Sequence, residues 1–216
     1  MDEPSQYPKA WKGAHYAKGF NGVRLLALGE SSYGDTPTSP HSLVEDHIRG
    51  PVRHHWHRTY SRFLWLLDSQ GTWPSTLEQR QARWDQIAFT NYLIEVAGPG
   101  ARKRPARESW GRSLAPFLAF LKTLKPLPDA VIVWGFPLWY ALQGDPTCQW
   151  GAERHQCLQW NKEKAMGFIH WPDGPPLPAF ALAHPSSPAT TQRKWGPKLA
   201  AFLIAATNSA GGVKLP

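Results

Sequence analysis

"VRLLALGESSYGDTP", residues 23–37, decides how the chain folds. Val23 to Gly29 is continuous and apolar rather than alternating, the pattern of a strand covered on both faces. The stretch then breaks into glycine, acid, two serines, tyrosine, glycine and acid, which reads as a polar loop on the strand's end. Two more runs have the same form: Asp129 to Gly135, "DAVIVWG", and Pro178 to Ala183, which leads into "HPSSPATT". A fourth, "QIAFTNYLI" from Gln86 to Ile94, is strand-like with an asparagine inside it.

Helical patterns fill the gaps. Arg53 to Leu67 spaces Trp56, Tyr60, Phe63, Leu64 and Leu67 along one face. Ser75 to Asp85 starts with Ser75 and has Glu78 three residues on, the form of a capping box. Glu108 to Leu124 carries Pro116, where a kink is expected. Pro137 to Leu142 begins with proline at a favoured first-turn position, and Thr191 to Ala206 forms the last helix. Met166 to Trp171 suits an edge hairpin turning at Pro172-Asp173-Gly174. Strands alternating with helices predict a three-layer α/β/α sandwich around a central, mostly parallel sheet of four to five strands.

With 216 residues the chain is expected to form a single domain, residues 1 to about 20 being a flexible segment. Its 42% hydrophobic content suffices for a core, and no apolar run approaches the roughly 18 residues of a membrane span, so a soluble protein is expected. Met1 to Lys18 is polar and lacks the apolar centre of a secretion signal, which points to an intracellular, cytoplasmic protein. The formal charge of +8 is concentrated at "ARKRPAR", residues 101–107, and favours a polyanionic partner such as nucleic acid. Cys148 and Cys157 are too few for an iron–sulfur cluster or a cysteine-only zinc site, so no cofactor is expected. His54, His55 and His57 do not share one helix face; contact with phosphate suits them better than a metal. Most of the 12 tryptophans are assigned to the core, the exposed remainder to base stacking.

In an open parallel sheet ligands bind beyond the carboxyl ends of the strands. That rule selects Gly29 to Asp35, Asn91 with its neighbours, and His184 to Thr191. The Glu30 carboxylate there can orient water, accept a proton or face a developing cation; its plain alternative is a cap or salt bridge. Asn91, in an apolar strand, must find partners for its amide, in a ligand or in adjacent loops. His184 is fixed by Pro185 at a strand end, and Ser186 and Ser187 can either hold phosphate near a helix start or cap it.

These segments, in this order, resemble the uracil-DNA glycosylase superfamily. "LLALGESSYG" is similar to its first motif, "IAFTNYLIEVAGPGARKRP" to its base-reading strand and the segment after it, "LKPLPDAVIVWGFPLWYAL" to its third strand and following helix, and "ALAHPSSPATT" to its last motif. The resemblance covers most of residues 23–207. It implies a monomeric enzyme that flips a nucleotide out of DNA and hydrolyses the base–sugar bond. Glu30 would face the sugar cation and the water, His184 would donate to the base O2, Asn91 would read the polar edge, and Tyr33 and Ser31 would line the pocket. Ser32, Ser186, Ser187, Arg102, Lys103 and Arg104 would contact DNA.

Several features depart from the family's pattern. Four cluster cysteines are missing. The acid stands at the second motif position, Glu30, where uracil-specific members carry aspartate at the third, here Ser31, so Asp35 is a second carboxylate for the water-activating role. "DHIRGPVRHHWHR", residues 46–58, and the Trp-rich stretch before residue 176 match no motif and are expected in loops able to remodel the pocket. Uracil is the default base; a larger pyrimidine, such as the glucosylated hydroxymethylcytosine of phage DNA, would connect the enzyme to defence rather than repair. Two rivals stand beside this reading. One is an SGNH-type serine esterase with Ser31 as nucleophile, Asn91 as oxyanion donor and His184 as base, although Ala181 occupies the usual aspartate position. The other is a non-catalytic DNA-binding protein on the same fold.

Overall fold

The computed structural model describes residues 7–32, 38–50, 56–96, 107–144, 166–171 and 174–210. Their order is β1 (Trp11–Lys12), β2 (Leu25–Gly29), α1 (Pro40–Arg49), α2 (His57–Leu67), α3 (Leu77–Trp84), β3 (Ile87–Asn91), α4 (Arg107–Thr123), β4 (Ala130–Trp134), α5 (Phe136–Gly144), β5 (Met166–Ile169), β6 (Leu177–Leu182) and α6 (Gln192–Ala210). The strands form one sheet in the order β1-β3-β2-β4-β6-β5. The inner four are parallel, while β1 and β5 run antiparallel along the two edges.

Strand parity explains the three layers, because successive side chains leave a strand on opposite faces. Leu25 and Ala27, Ile87 and Phe89, Ala130, Ile132 and Trp134, and Phe180 and Leu182 pack on one face with α1, α2, α3 and α6. Leu26 and Leu28, Ala88, Val131 and Val133, and Ala179 and Ala181 pack on the other with α4 and α5. Both faces are covered, so β2, β3, β4 and β6 are buried along their whole length, as their uninterrupted apolar runs require.

The sheet is larger than expected by its edges. The anticipated hairpin is β5 against β6, but β1 comes from the segment expected to be flexible. Residues from Tyr7 onward belong to the fold: Tyr16 is fully buried, and the Trp11 indole donates to the Trp84 carbonyl at 2.9 Å. A second correction concerns the His-rich insert. Its first part is helical: Ser39 accepts from the Ser42 amide at 3.1 Å, Pro40 occupies the first turn, and Val44, His47 and Ile48 are buried at helical spacing. His57 opens α2 at 2% exposure and is no surface phosphate contact; His54, His55, Cys148 and Cys157 fall outside the described residues. In α3 the capping box sits one residue later than expected, with Thr76 as cap and Gln79 reaching back to the Thr76 and Ser75 amides. Of the ten described tryptophans, Trp11, Trp84, Trp134, Trp139, Trp171 and Trp195 are buried.

Beneath α1 and α2 lies a polar knot. The Trp84 indole donates to His47 Nδ1 at 3.0 Å, so the neutral ring keeps its proton on Nε2, which faces Ser61 Oγ at 2.9 Å. Arg80, also buried, donates to the carbonyls of Ile48 and Gly50 at the end of α1. Burial, with Arg80 and His57 adding repulsion, lowers the His47 pKa from 6.5 to about 3. The unfolded chain takes up a proton that the folded one refuses. Stability is therefore full above the unfolded value and is expected to fall through the window from 6.5 down to about 3, by about 1.4 kcal/mol per pH unit from this residue. Urea midpoints measured across that window check it; His47→Gln should flatten the slope.

Candidate active site

Past β2 the chain runs to β3 on one side of it and then returns to β4 on the other, which makes the β2–β4 boundary the switch point where loops diverge. A cavity of about 410 Å³ opens there. Its base is built from strand ends: Gly29, Glu30, Ser31 and Ser32 after β2, Phe89 and Asn91 in β3, Trp134 in β4, and His184 after β6. Its wall is built from the two helices that the insert joins: Thr38, Leu43 and Asp46 around α1, and Trp56, Thr59 and Tyr60 at α2. Gly29, Phe89, Asn91 and Trp134 share one strand parity, so they emerge together on the α1–α2 face of the sheet.

The floor is aromatic. Phe89 and Trp134 lie 5.0 Å apart between ring centroids, and Tyr60 stands 5.5 Å from Phe89 and 5.6 Å from Trp134. Burial holds the Tyr60 hydroxyl far above the ordinary phenol range, so it remains neutral. Trp134 is 2% exposed, and its indole N–H has no partner among the described residues. The buried Ser31 hydroxyl is likewise without one. An apolar aromatic floor with unspent hydrogen-bonding groups around it is suited to a planar, polar-edged ring.

Backbone bonds bring the acid and the amide together. The Tyr92 amide donates to the Gly29 carbonyl at 2.8 Å and the Leu93 amide to the Glu30 carbonyl at 2.9 Å, zipping the β2 and β3 loops side by side. The Tyr7 hydroxyl donates to the Asn91 carbonyl, so the N-terminal segment also braces this corner. A Cβ on Gly29 would stand 2.4 Å from the Asn91 side-chain oxygen. Glycine is needed there because the carboxamide lies against the bare backbone. Gly29→Ala is expected to fold with a loss of about 1–3 kcal/mol and to damage ligand recognition far more than stability, because the Asn91 carboxamide is what must move. Thermal unfolding and substrate binding, measured on the same sample, separate the two effects.

His184 is held by its own loop. The Ser186 amide donates to its Nδ1 at 3.2 Å, and the Ser186 hydroxyl lies 2.7 Å from the same nitrogen. An amide can only donate, so Nδ1 is the acceptor and the neutral ring carries its proton on Nε2. Burial lowers the pKa from 6.5 to about 4, which keeps the ring neutral. The loop is clamped from outside: Arg62 on α2 donates from one nitrogen to the carbonyls of Pro185 at 2.7 Å and Ser187 at 2.9 Å, and Thr190 donates to the His184 carbonyl at 2.9 Å. The Trp134 ring meets the His184 ring edge-on, 6.3 Å away.

Glu30, Ser31, Ser32, Asn91 and His184 thus share one cavity. Ser186 and Ser187 do not line it; Ser186 orients His184, and Ser187 Oγ accepts from the Ala189 amide at 3.3 Å, closing the turn. Tyr33, Asp35, Arg102, Lys103 and Arg104 lie outside the described residues. Trp134, Tyr60, Trp56 and Asp46 join the site without having been singled out by the sequence. For Trp134 the signal is present, since it has the parity of the other site residues at the end of its strand. Among the described residues no group of three or more His, Cys, Asp or Glu side chains could hold a metal ion, and no helix is long and apolar enough to cross a membrane. No protein-family model matches the chain, and no curated protein matches it.

Proposed function

We propose that the protein is a DNA glycosylase that flips a uracil-like or modified pyrimidine out of DNA and hydrolyses its N-glycosidic bond, leaving an abasic site. The observation that carries this reading is the convergence of Glu30, Asn91 and a neutral His184 over one aromatic floor, in a cavity at the sheet's switch point. An extruded base packs against this aromatic floor, with Phe89 and Trp134 on one side and the Tyr60 ring at a steep angle to both, in place of the neighbours it lost in the duplex. Asn91 offers both a donor and an acceptor to the base edge. As the bond to the sugar lengthens, positive charge grows on the sugar and negative charge on the base. Glu30 faces the cation and accepts a proton from the attacking water, whose oxygen ends on the sugar carbon. His184 Nε2–H faces the base carbonyl and stabilises the departing anion, as an oxyanion-hole donor does. Ser32 and the basic segment containing Arg102, Lys103 and Arg104 supply phosphate contacts, which makes binding salt-dependent. The enzyme is taken to act as a cytoplasmic monomer without a cofactor.

The esterase alternative requires a nucleophile within reach of its base. Ser31 Oγ has no hydrogen-bond partner among the described residues, and the Ser186 amide on Nδ1 leaves the His184 proton on Nε2, the nitrogen that a serine's base must keep as acceptor.

The test is a panel of DNAs carrying uracil, hypoxanthine, hydroxymethylated and glucosylated bases, scored for released base by mass spectrometry and for alkali-labile sites. Release of one pyrimidine class is the expected result, and its identity assigns the enzyme to base-excision repair or to defence against modified phage DNA. Tight binding with no alkali-labile site in any of them overturns catalysis and leaves a DNA-binding protein.

A further inference from the structure

The wall formed by α1 and α2 carries polar groups that base release does not use. Asp46, Thr38 and Thr59 line the same cavity as the strand-end residues. The Asp46 carboxylate is in none of the ion pairs among the described residues, although its neighbour Glu45 pairs with both His41 and Arg49. Nor does α1 need it for capping: Ser39 caps the start with its side chain, and at the end the Gly50 amide donates to the Asp46 backbone carbonyl.

The electrostatics of the cavity restrict what can occupy this wall. Among the described residues that line the cavity there is no lysine or arginine, while two carboxylates, Glu30 and Asp46, are present. An ionised carboxylate only accepts hydrogen bonds, and a phosphate or carboxylate beside it would be repelled without a cation to compensate. Size points the same way. About 410 Å³ is on the scale of a complete small-molecule site, which accommodates a substituent on the pyrimidine. Trp56 and Tyr60, which line the same cavity, offer apolar faces for the carbon frame of a substituent.

We infer that the α1–α2 wall is a specificity compartment for a neutral, hydrogen-bond-donating substituent, a hydroxyl or amino group carried by the excised pyrimidine, with Asp46 as its acceptor. This rests on the glycosylase reading of the same cavity. With the base O2 at His184 and the N3–C4 edge at Asn91, C5 and C6 are left, and of these C5 is the one not adjoining the glycosidic nitrogen and so takes the substituent.

The experiment compares DNAs that differ only at C5 of one uracil, bearing hydrogen, hydroxymethyl or carboxyl, with base release measured as kcat/KM by mass spectrometry. The full chain, Asp46→Asn and Asp46→Lys are assayed, and thermal unfolding verifies that each variant is folded; the exposed position of Asp46 makes folding of both expected. The wild-type protein should prefer hydroxymethyl over carboxyl by at least about tenfold, the scale of one hydrogen bond to a charged group. Asp46→Asn should narrow that preference by about the same factor, and Asp46→Lys should turn it towards carboxyl. Release from some of these DNAs with a hydroxymethyl-to-carboxyl ratio that neither variant moves overturns this inference alone. Release from none of them, nor from the wider base panel, overturns the glycosylase reading and this inference with it.

Discussion

Glu30→Gln is expected to hold DNA as tightly as the wild-type protein and to release base about 10²–10⁴ times more slowly, the range spanned by a positioned general base. The substitution keeps the size and hydrogen-bonding shape of the side chain and removes its negative charge. The backbone at this position should be unaffected, because its carbonyl is engaged by the Leu93 amide whatever the side chain. The loss should therefore appear in kcat with KM nearly constant, the signature of an interaction made only in the transition state. Measuring single-turnover base release and DNA binding on one preparation decides it. Full activity in Glu30→Gln would transfer the water-activating role to Asp35.

His184→Ala has the second largest expected effect, a slowing of about 10²–10³, the loss typical of one oxyanion-hole donor. Affinity for DNA should change little, since on the glycosylase reading His184 faces the base rather than the phosphates. The structure adds a sharper form of the test. An Nε2–H fixed by the Ser186 amide and a pKa lowered to about 4 keep the ring neutral, so on the glycosylase reading the neutral ring is the form that would act. The rate should therefore run level through 6.5, the ordinary imidazole value, where a surface histidine would titrate. A break near that value would show that the ring is protonated in the working enzyme. Parallel loss of folding stability and rate would instead mark His184 as a structural residue.

The parts of the fold that can be read from the sequence are those whose physics is local and repetitive. β2, β3, β4 and β6 are covered on both faces, and only burial on both sides lets a strand dispense with polar residues along its whole length. Neither β1 nor α1 has that property. β1 is two residues long and owes its existence to the exposed edge of β3. The buried face of α1 includes His47, so its helical period is partly written in a residue that reads as polar, and the Ser39-Pro40 start is obscured by the histidines that follow.

The site divides in the same way. Glu30, Asn91 and His184 are legible because a polar residue at the end of an apolar strand is anomalous unless it meets something. Trp134 and Tyr60 are anomalous nowhere: an aromatic residue in a strand or a helix reads as core, and both are core and floor at once. Asp46 looks like any exposed helix residue until α1 is placed over the cavity. Ser186 reads as a phosphate contact because its bond to the side chain two residues earlier exists only after Pro185 has set the turn.

Arg62 has an implication for fidelity. Its guanidinium joins the helix bearing Trp56, Thr59 and Tyr60 at its start to the turn that presents His184. On the glycosylase reading, a base too bulky or too ill-matched to settle against α2 pushes on the same lever that aims the leaving-group donor. Misfit at one wall then becomes misalignment at the other. One bridge of two hydrogen bonds would let the enzyme discriminate twice against the same wrong base, first in how long it stays and again in how fast it is cut, with no separate editing chamber.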